Sequence, residues 1–372
     1  MPYSIPYVDF GPTTRSSKVE LTTAFERVLE SGKFVLGSEV KNFEKEFAAY
    51  SGTEYAAGVA NGTCSLHIVF RALGIGPGDE VITAPNSFIA TAAAIAQVGA
   101  TPVFVDTDFD FNINPNLIEN AITPQTKAIV PVHLTGRVAK MNEINSIAKK
   151  HGLLVIEDSA QSVGATYYGK KAGSFGDAAS FSFHPLKNLH AFGDAGIITS
   201  NNIQVINELN VIKNHGLTDR STCSQWGFNC RLDEMQAAFL SVQLPQLDDW
   251  TEQRRKIAHS YNDALSKVVV TPIEESHEKH VYQTYVIRSE RRDELKEFLN
   301  SNGVEAIIHY PVPIHLQPAA DYLNYKEGQF PIVETLAKEI LSLPLYPGMP
   351  QDFQDQVVSL ILKFFGGKQN DI

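Results

Sequence analysis

The chain has 372 residues, enough for two domains with a substantial buried core. Its 42 acidic against 31 basic residues give a net charge of −11, which argues against a general nucleic-acid or anionic-membrane surface. Cys64, Cys223 and Cys230 have no framework spacing, as in a cytoplasmic protein, and residues 1–11 lack the basic start and apolar core of a signal peptide.

Residues 18–31 read as an amphipathic helix, and a second helix carrying Phe43, Glu44 and Phe47 stops at Gly52. A strand over 55–60 then runs into Asn61-Gly62-Thr63-Cys64-Ser65 and the helical pattern LHIVFRALG. A small-residue turn opening a helix leaves N–H groups free at the positive end of the dipole, a cradle for phosphate. An ordinary N-cap would use Thr63 or Ser65 in the same way. Gly74-Ile75-Gly76-Pro77-Gly78 follows a helix and precedes the strand EVITAP, so it is a helix stop and not a dinucleotide turn. Phe88 starts the next helix at the sheet's carboxyl edge. The nearly uncharged run 88–105 contains Gln97, Gly99 and Pro102 and splits into a buried helix and a strand instead of a membrane span. Strands TPVFVD and KAIVPVH follow, ending at Asp106 and His133.

The apolar run 153–156 ends on two carboxylates, Glu157 and Asp158. A further strand over 178–183 ends in Ser182, His184, Pro185 and Lys187, and residues 197–200 give the last one. Strands alternating with helices from 55 to 200 specify a doubly wound, mainly parallel α/β sheet. Ligands gather at the carboxyl ends of such strands, so an acid, a hydroxyl and an amine are aimed at one edge. That trio suits pyridoxal phosphate (PLP): a lysine holds its aldehyde, a carboxylate keeps its ring nitrogen protonated, and hydroxyl and N–H donors hold its phosphate. Taken singly, each residue is also an ordinary strand-end acid, turn serine or solvated lysine.

EDSAQ followed by SFHPLKN resembles the signature of the StrS/DegT-type sugar aminotransferases, PLP enzymes of the aspartate-aminotransferase fold. The resemblance implies fold type I, a large doubly wound domain plus a smaller C-terminal α/β domain. It implies that Lys187 carries the Schiff base, Asp158 binds the ring nitrogen, Gln161 faces the ring hydroxyl and Ser182 binds phosphate. By the same resemblance Gly62, Thr63 and Cys64 form the phosphate turn, Phe88 stacks on the ring, and Asn229 in WGFNCRL reaches the phosphate of a neighbouring subunit. A homodimer with shared sites follows. HYPVPIHLQ resembles the family's substrate-entrance segment, offering His309, Tyr310, His315 and Gln317 beside His133 and His184. Three positions depart from the family's pattern: Thr135 where an aromatic is usual, Ala195 in the turn after the lysine, and Leu232 for a common methionine.

A domain boundary is expected near Leu244 and Pro245, giving domains 1–245 and 246–372. Beyond it come a helix over 247–265, short strands TYVIR and VEAIIHY, and a final helix with Phe353, Val357, Leu360, Ile361 and Phe364 on one stripe. Arg254, Arg255, Lys256, Arg291 and Arg292 read as solvated faces. His309 and His315 lack a cysteine or carboxylate at ligand spacing, so no metal is expected. Residues 368–372 read as a frayed tail.

The resemblance implies transfer of an amino group from an amino acid, L-glutamate, to a keto or aldehyde sugar, nucleotide-linked, in amino-sugar biosynthesis for lipopolysaccharide or another polysaccharide. The alternatives are a free keto-sugar acid of the octulosonate type, a PLP-dependent sugar dehydratase, or a PLP-binding regulator without turnover. The family's dehydratases carry histidine where this chain has Lys187. No nucleic-acid or membrane partner is expected.

Overall fold

The computed structural model describes residues 3–366, so the tail expected at 368–372 lies outside the described residues. Strands β1 (Tyr55–Val59), β2 (Glu80–Thr83), β3 (Thr101–Phe104), β4 (Thr126–Ile129) and β5 (Leu154–Asp158) alternate with helices. The hairpin β6 (Thr166–Tyr167) and β7 (Lys170–Lys171) precedes β8 (Ala178–Ser182) and β9 (Gly196–Ser200). Seven of these make one sheet in the order β1-β9-β8-β5-β4-β2-β3. β8, β5, β4, β2 and β3 run parallel, while β9 is antiparallel to both β8 and β1.

β8 and β9 are buried along their whole length, as near-continuous apolar strands are when helices cover both faces. On one face the helices Gly62–Ala72, Ala90–Gln97 and Ile203–Ile212 bring Leu66, Phe70, Ile95 and Leu209 against Val59, Val81, Ile156 and Ile198. On the other, Phe43 and Phe47 of the Ser38–Ser51 helix pack on Phe181, Phe183 and Ile197, with the Phe47 and Phe181 rings edge-on at 4.9 Å. This double cover is the doubly wound arrangement expected from the alternating pattern.

The smaller C-terminal domain pairs β11 (Tyr285–Arg288) with β12 (Ile340–Leu343), while the short β10 (Glu278–Lys279) pairs back to β6. Tyr261, Tyr285, Leu295, Leu341, Val357 and Ile361 form its core, and Ile5 from the far N-terminus joins them through a bridge to Val304. The expected strand VEAIIHY gives only isolated bridges, of Val304 to Ile5 and Ile307 to Ser342, and the strand forms at Ile340–Leu343 instead.

Two expectations about charge are corrected. Arg254 is 6% exposed and donates to the carbonyls of Tyr282 at 3.3 Å and Leu345 at 3.1 Å. Arg292 is equally buried and donates to the carbonyls of Ala337 and Ile340. Both guanidiniums satisfy chain carbonyls inside the smaller domain, where a solvated face was expected. Lys256 and Arg291 are exposed as expected, and Arg255 pairs with Glu274. No helix among the described residues is long and apolar enough to cross a membrane.

Candidate active site

Asp158 closes β5 in the middle of the sheet. Its N–H donates to Pro131 and its carbonyl accepts from His133, which ties the end of β5 to the segment continuing β4, while the next N–H, of Ser159, donates to Ser180 on the β8 side. Its Oδ2 accepts from the Thr91 hydroxyl at 2.7 Å and its Oδ1 from the Ala160 N–H at 3.2 Å. The Ser87 hydroxyl donates in turn to Thr91 Oγ1 at 3.2 Å. Thr91 lies in the same helix opening as Phe88, and sequence reasoning missed it. The signal was a threonine three residues past the aromatic, placing its hydroxyl one turn along.

The preceding carboxylate, Glu157, points to the opposite face of the sheet, as the strand period requires. It accepts from the N–H groups of Gly173, Phe175 and Gly176 and lies 2.9 Å from His133 Nε2. His133 Nδ1 accepts the Ala139 N–H, so Nε2 carries the proton and donates it to Glu157. His133 is completely buried in this arrangement. It supports the strand ends instead of meeting a substrate, the role its place in the chain had indicated.

Lys187 sits in the turn that leaves β8. His184 Nδ1 accepts the Leu186 N–H, and the His184 carbonyl accepts the Lys187 N–H. On the far side Gln283 reaches over from the segment leading into β11. Its Nε2 donates to the Leu186 carbonyl at 2.7 Å and its Oε1 accepts the Asn188 N–H at 2.8 Å. Gln283 therefore holds the peptides on both flanks of the lysine, a role that no motif around it reveals. Burial pushes the Lys187 amine down to about 8, against the opposing pull of the Asp158 charge. The amine and the carboxylate thus belong to one electrostatic site.

The Gly62–Ala72 helix points its N-terminus at the same place. A Cβ at Gly62 would lie 2.7 Å from Ser182 Cβ, so only glycine lets the helix start reach the end of β8. Asn61 caps the helix by accepting the Cys64 N–H at 2.8 Å. The N–H groups of Gly62 and Thr63, first in the helix, have no intrahelical partner to serve.

Gln161 Oε1 accepts the Thr135 N–H at 2.8 Å, and Tyr310 lies within reach of the same glutamine. Thr135 reaches this position with a φ of +62°, in the left-handed region. The Phe88 ring, half exposed, lies 5.7 Å from that of Tyr310. Burial, aided by the Asp158 charge, pushes the Tyr310 hydroxyl up to about 12. Burial and the Lys187 charge hold His309 down at about 4, and its Nδ1 lies 2.9 Å from the Ser342 hydroxyl.

Of the expected residues, Lys187, Asp158, Gln161, Tyr310 and His309 come together, with Gly62 against Ser182 beside them. His184 is exposed in the lysine turn. His315 stands apart: it is 2% exposed, packs on Phe330 and lies 3.1 Å from Glu334. Asn229 is exposed in the loop that bridges back to Asn214. Of the two arginines nearest the site by sequence, Arg137 is engaged by Glu278 and Arg231 by Asn214. No cluster of potential metal ligands occurs among the described residues.

These residues fit pyridoxal phosphate: a buried amine of lowered basicity, a fixed carboxylate, and a helix start stripped of any side chain beside a serine. A fold-type-I aminotransferase presents this arrangement at this edge of this sheet. The chain belongs to the DegT/DnrJ/EryC1/StrS aminotransferase family, whose profile matches residues 15–362. It is 47% identical over 367 residues to a Geobacillus stearothermophilus protein named "Pleiotropic regulatory protein", with 97% of this chain and 99% of that one covered. It is 43% identical to the dTDP-3-amino-3,6-dideoxy-alpha-D-galactopyranose transaminase of Aneurinibacillus thermoaerophilus, covering 97% and 99%. The crystal structure of S. venezuelae DesV in complex with a ketimine intermediate superposes with a TM-score of 0.95 at 38% identity, covering 100% of both chains.

Thr91→Val removes the one side-chain donor to the Asp158 carboxylate among the described residues. A hydrogen bond to a charged group is worth about 1.5–3 kcal/mol. Turnover should fall about tenfold or more with the fold unchanged; turnover within a factor of two of wild type would show that Asp158 needs no such support.

Proposed function

We propose that this protein is a PLP-dependent transaminase that moves an amino group from an amino acid, L-glutamate, onto a keto or aldehyde sugar linked to a nucleotide. The observation that carries this reading is the convergence of Lys187 and Asp158 on one sheet edge, where the Asp158 charge acts on the lysine amine. When bound, the cofactor supplies an electrophilic carbonyl and a ring that accepts an electron pair. Asp158, held by Thr91 and Ala160, keeps the proton on the ring nitrogen. Lys187 would hold the cofactor's aldehyde, and its amine would then take up and return a proton at the substrate carbon as general base and then acid. The Ser182 hydroxyl and the Gly62 and Thr63 N–H groups would bind the phosphate, Phe88 would cover the ring, and Gln161 would meet the ring hydroxyl.

A sugar acceptor is supported by the related sugar transaminase and by the polar residues around the lysine, His184, His309 and Tyr310. The engagement of Arg137 and Arg231 leaves neither as a ready fork for a second carboxylate, which favours a nucleotide-linked sugar over a free keto-sugar acid. Retention of Lys187 speaks against dehydration. The name of the Geobacillus relative keeps a regulatory reading alive, and turnover separates the two. Protein loaded with pyridoxamine phosphate should return to the aldehyde form with nucleotide-linked keto sugars. Return with many 2-keto acids and no sugar would make it a general amino-acid transaminase, and no return with any acceptor would favour a regulator.

The basicity of Lys187 gives a pH test. A lysine attacks an aldehyde as the neutral amine, and lowering its pKa to about 8 brings that form toward neutral pH. Cofactor uptake by the apoprotein should accelerate about tenfold per pH unit below that point and level off above it. A flat profile from pH 6 to 9 would point to a different group.

The active unit proposed is a homodimer in which Asn229 of each chain completes the other's phosphate site. Apolar side chains left exposed at 34–36, Phe192 and Trp226 supply a surface for such a partner. Asn229→Ala should weaken cofactor retention about tenfold, and a fully active monomer in sedimentation would overturn the arrangement.

A further inference from the structure

Two of the three cysteines meet beside the proposed phosphate turn. Cys64 is half-buried, the third residue of the Gly62–Ala72 helix, and its N–H is the one Asn61 caps. Cys230 is 2% exposed and is held by its N–H to the Lys213 carbonyl at 3.0 Å. They share one apolar cluster, and the Phe228 ring, two residues before Cys230, packs edge-on at 4.9 Å against His67, one turn past Cys64, which brings the two thiols within hydrogen-bonding reach. Cys230 follows Asn229 in the chain. The thiol pair therefore ties a chain's own phosphate turn to the loop proposed to serve its partner.

We propose that Cys64 and Cys230 are a redox pair, in which a hydroperoxide oxidises Cys64, Cys230 closes a disulfide, and the bridge loosens the phosphate turn. The loss of phosphate grip rests on the PLP reading above; the thiol chemistry does not. Cys64 is the attacking sulfur for three reasons. It is the more exposed of the two, it lies at the positive end of a helix, and it accepts the Cys230 hydrogen bond. That bond, with help from Asn61, draws the Cys64 thiol below its ordinary value; the bond and burial push Cys230 above its own. The nearest further charges are Asp194, which opposes ionisation of Cys64, and Lys213, which favours that of Cys230.

In the first step the Cys64 thiolate attacks the peroxide. A sulfur–oxygen bond forms, the O–O bond breaks, the sulfur loses two electrons, and the departing alkoxide or hydroxide takes up a proton. Cys64 is then a neutral sulfenic acid and no longer accepts a charged hydrogen bond. Cys230 gives up its proton and attacks that sulfur, an S–S bond forms, and water leaves. A dithiol reverses the sequence. A disulfide needs its sulfurs at about 2.05 Å, well inside hydrogen-bond separation. Closing it must shift Cys64 within the Asn61 cap or draw the Asn229–Cys230 segment inward, and either movement disturbs donors to a phosphate.

The test treats the holoprotein with stoichiometric hydrogen peroxide, alkylates it, and maps its peptides without reductant. The expected product is a Cys64–Cys230 cross-linked peptide that disappears after dithiothreitol, together with at least about tenfold weaker cofactor retention by dialysis and absorbance. Cys230→Ser should stop at a Cys64 sulfenic acid that dimedone traps, and Cys223→Ser should behave as wild type. Full alkylation of Cys64 and Cys230 after peroxide, or oxidation confined to Cys223, overturns the pair. A disulfide that forms with the cofactor fully retained overturns its effect on the phosphate turn. If the untreated protein binds no PLP, the functional reading has failed, and the peptide map still decides the thiol pair on its own.

Discussion

Lys187→Ala is expected to fold normally, to lose the yellow covalent cofactor absorbance, and to transaminate about 10³-fold more slowly or worse. The magnitude is that of an acid–base group removed from a proton transfer, with covalent attachment lost in addition. Folding should survive because the turn is held through its backbone by His184 and Gln283, and the amine contributes nothing to those bonds. Borohydride reduction followed by peptide mapping should place the cofactor on Lys187. Label on Lys170 or Lys171 would remove the central assignment. Those two belong to the β6–β7 hairpin, where Lys171 lies over the Tyr50 ring at 3.4 Å and Lys170 over Phe175 at 5.4 Å.

Asp158→Asn should bind the cofactor yet turn over about two orders of magnitude more slowly, equivalent to roughly 3 kcal/mol of activation free energy. An amide oxygen in the place of Oδ1 can still accept the Ala160 N–H, and its NH2 in the place of Oδ2 can donate to the Thr91 hydroxyl oxygen, so the side chain keeps its place. It carries no charge with which to hold a proton on the ring nitrogen. The separation of binding from rate is the diagnostic result. Equal losses in both would mean that the substitution had damaged the site as a whole, and normal turnover would take Asp158 out of the mechanism.

The large domain was readable because its signals are local. An apolar run ending in Glu157-Asp158, and a second ending in Ser182, His184 and Lys187, announce strand ends whatever surrounds them. The smaller domain was read less well, for identifiable reasons. Arg254 stands four residues after Trp250 and three before Ile257, on the buried stripe of the Leu247–Leu265 helix, so helical spacing carried the warning that composition overrode. Its carbonyl partners, Tyr282 and Leu345, lie 28 and 91 residues away and leave no trace in a local pattern. The pairing of Ile5 with Val304 is invisible for the same reason. In the site itself, motif-bearing residues were legible and their supports were not. Thr91 and Gln283 are ordinary residues made important only by what the fold sets beside them.

Gln283 ties the two halves of the molecule mechanically. The lysine turn belongs to the large sheet, and the glutamine that grips it on both sides belongs to the segment leading into β11 of the smaller domain. A rotation of that domain which carries the glutamine along would act on the turn as a lever acts on a jaw, advancing or withdrawing the amine. The reach of the nucleophile is in this sense set from outside the domain that carries it, and a large domain expressed alone would retain Asp158, Lys187 and the phosphate turn and lose the alignment.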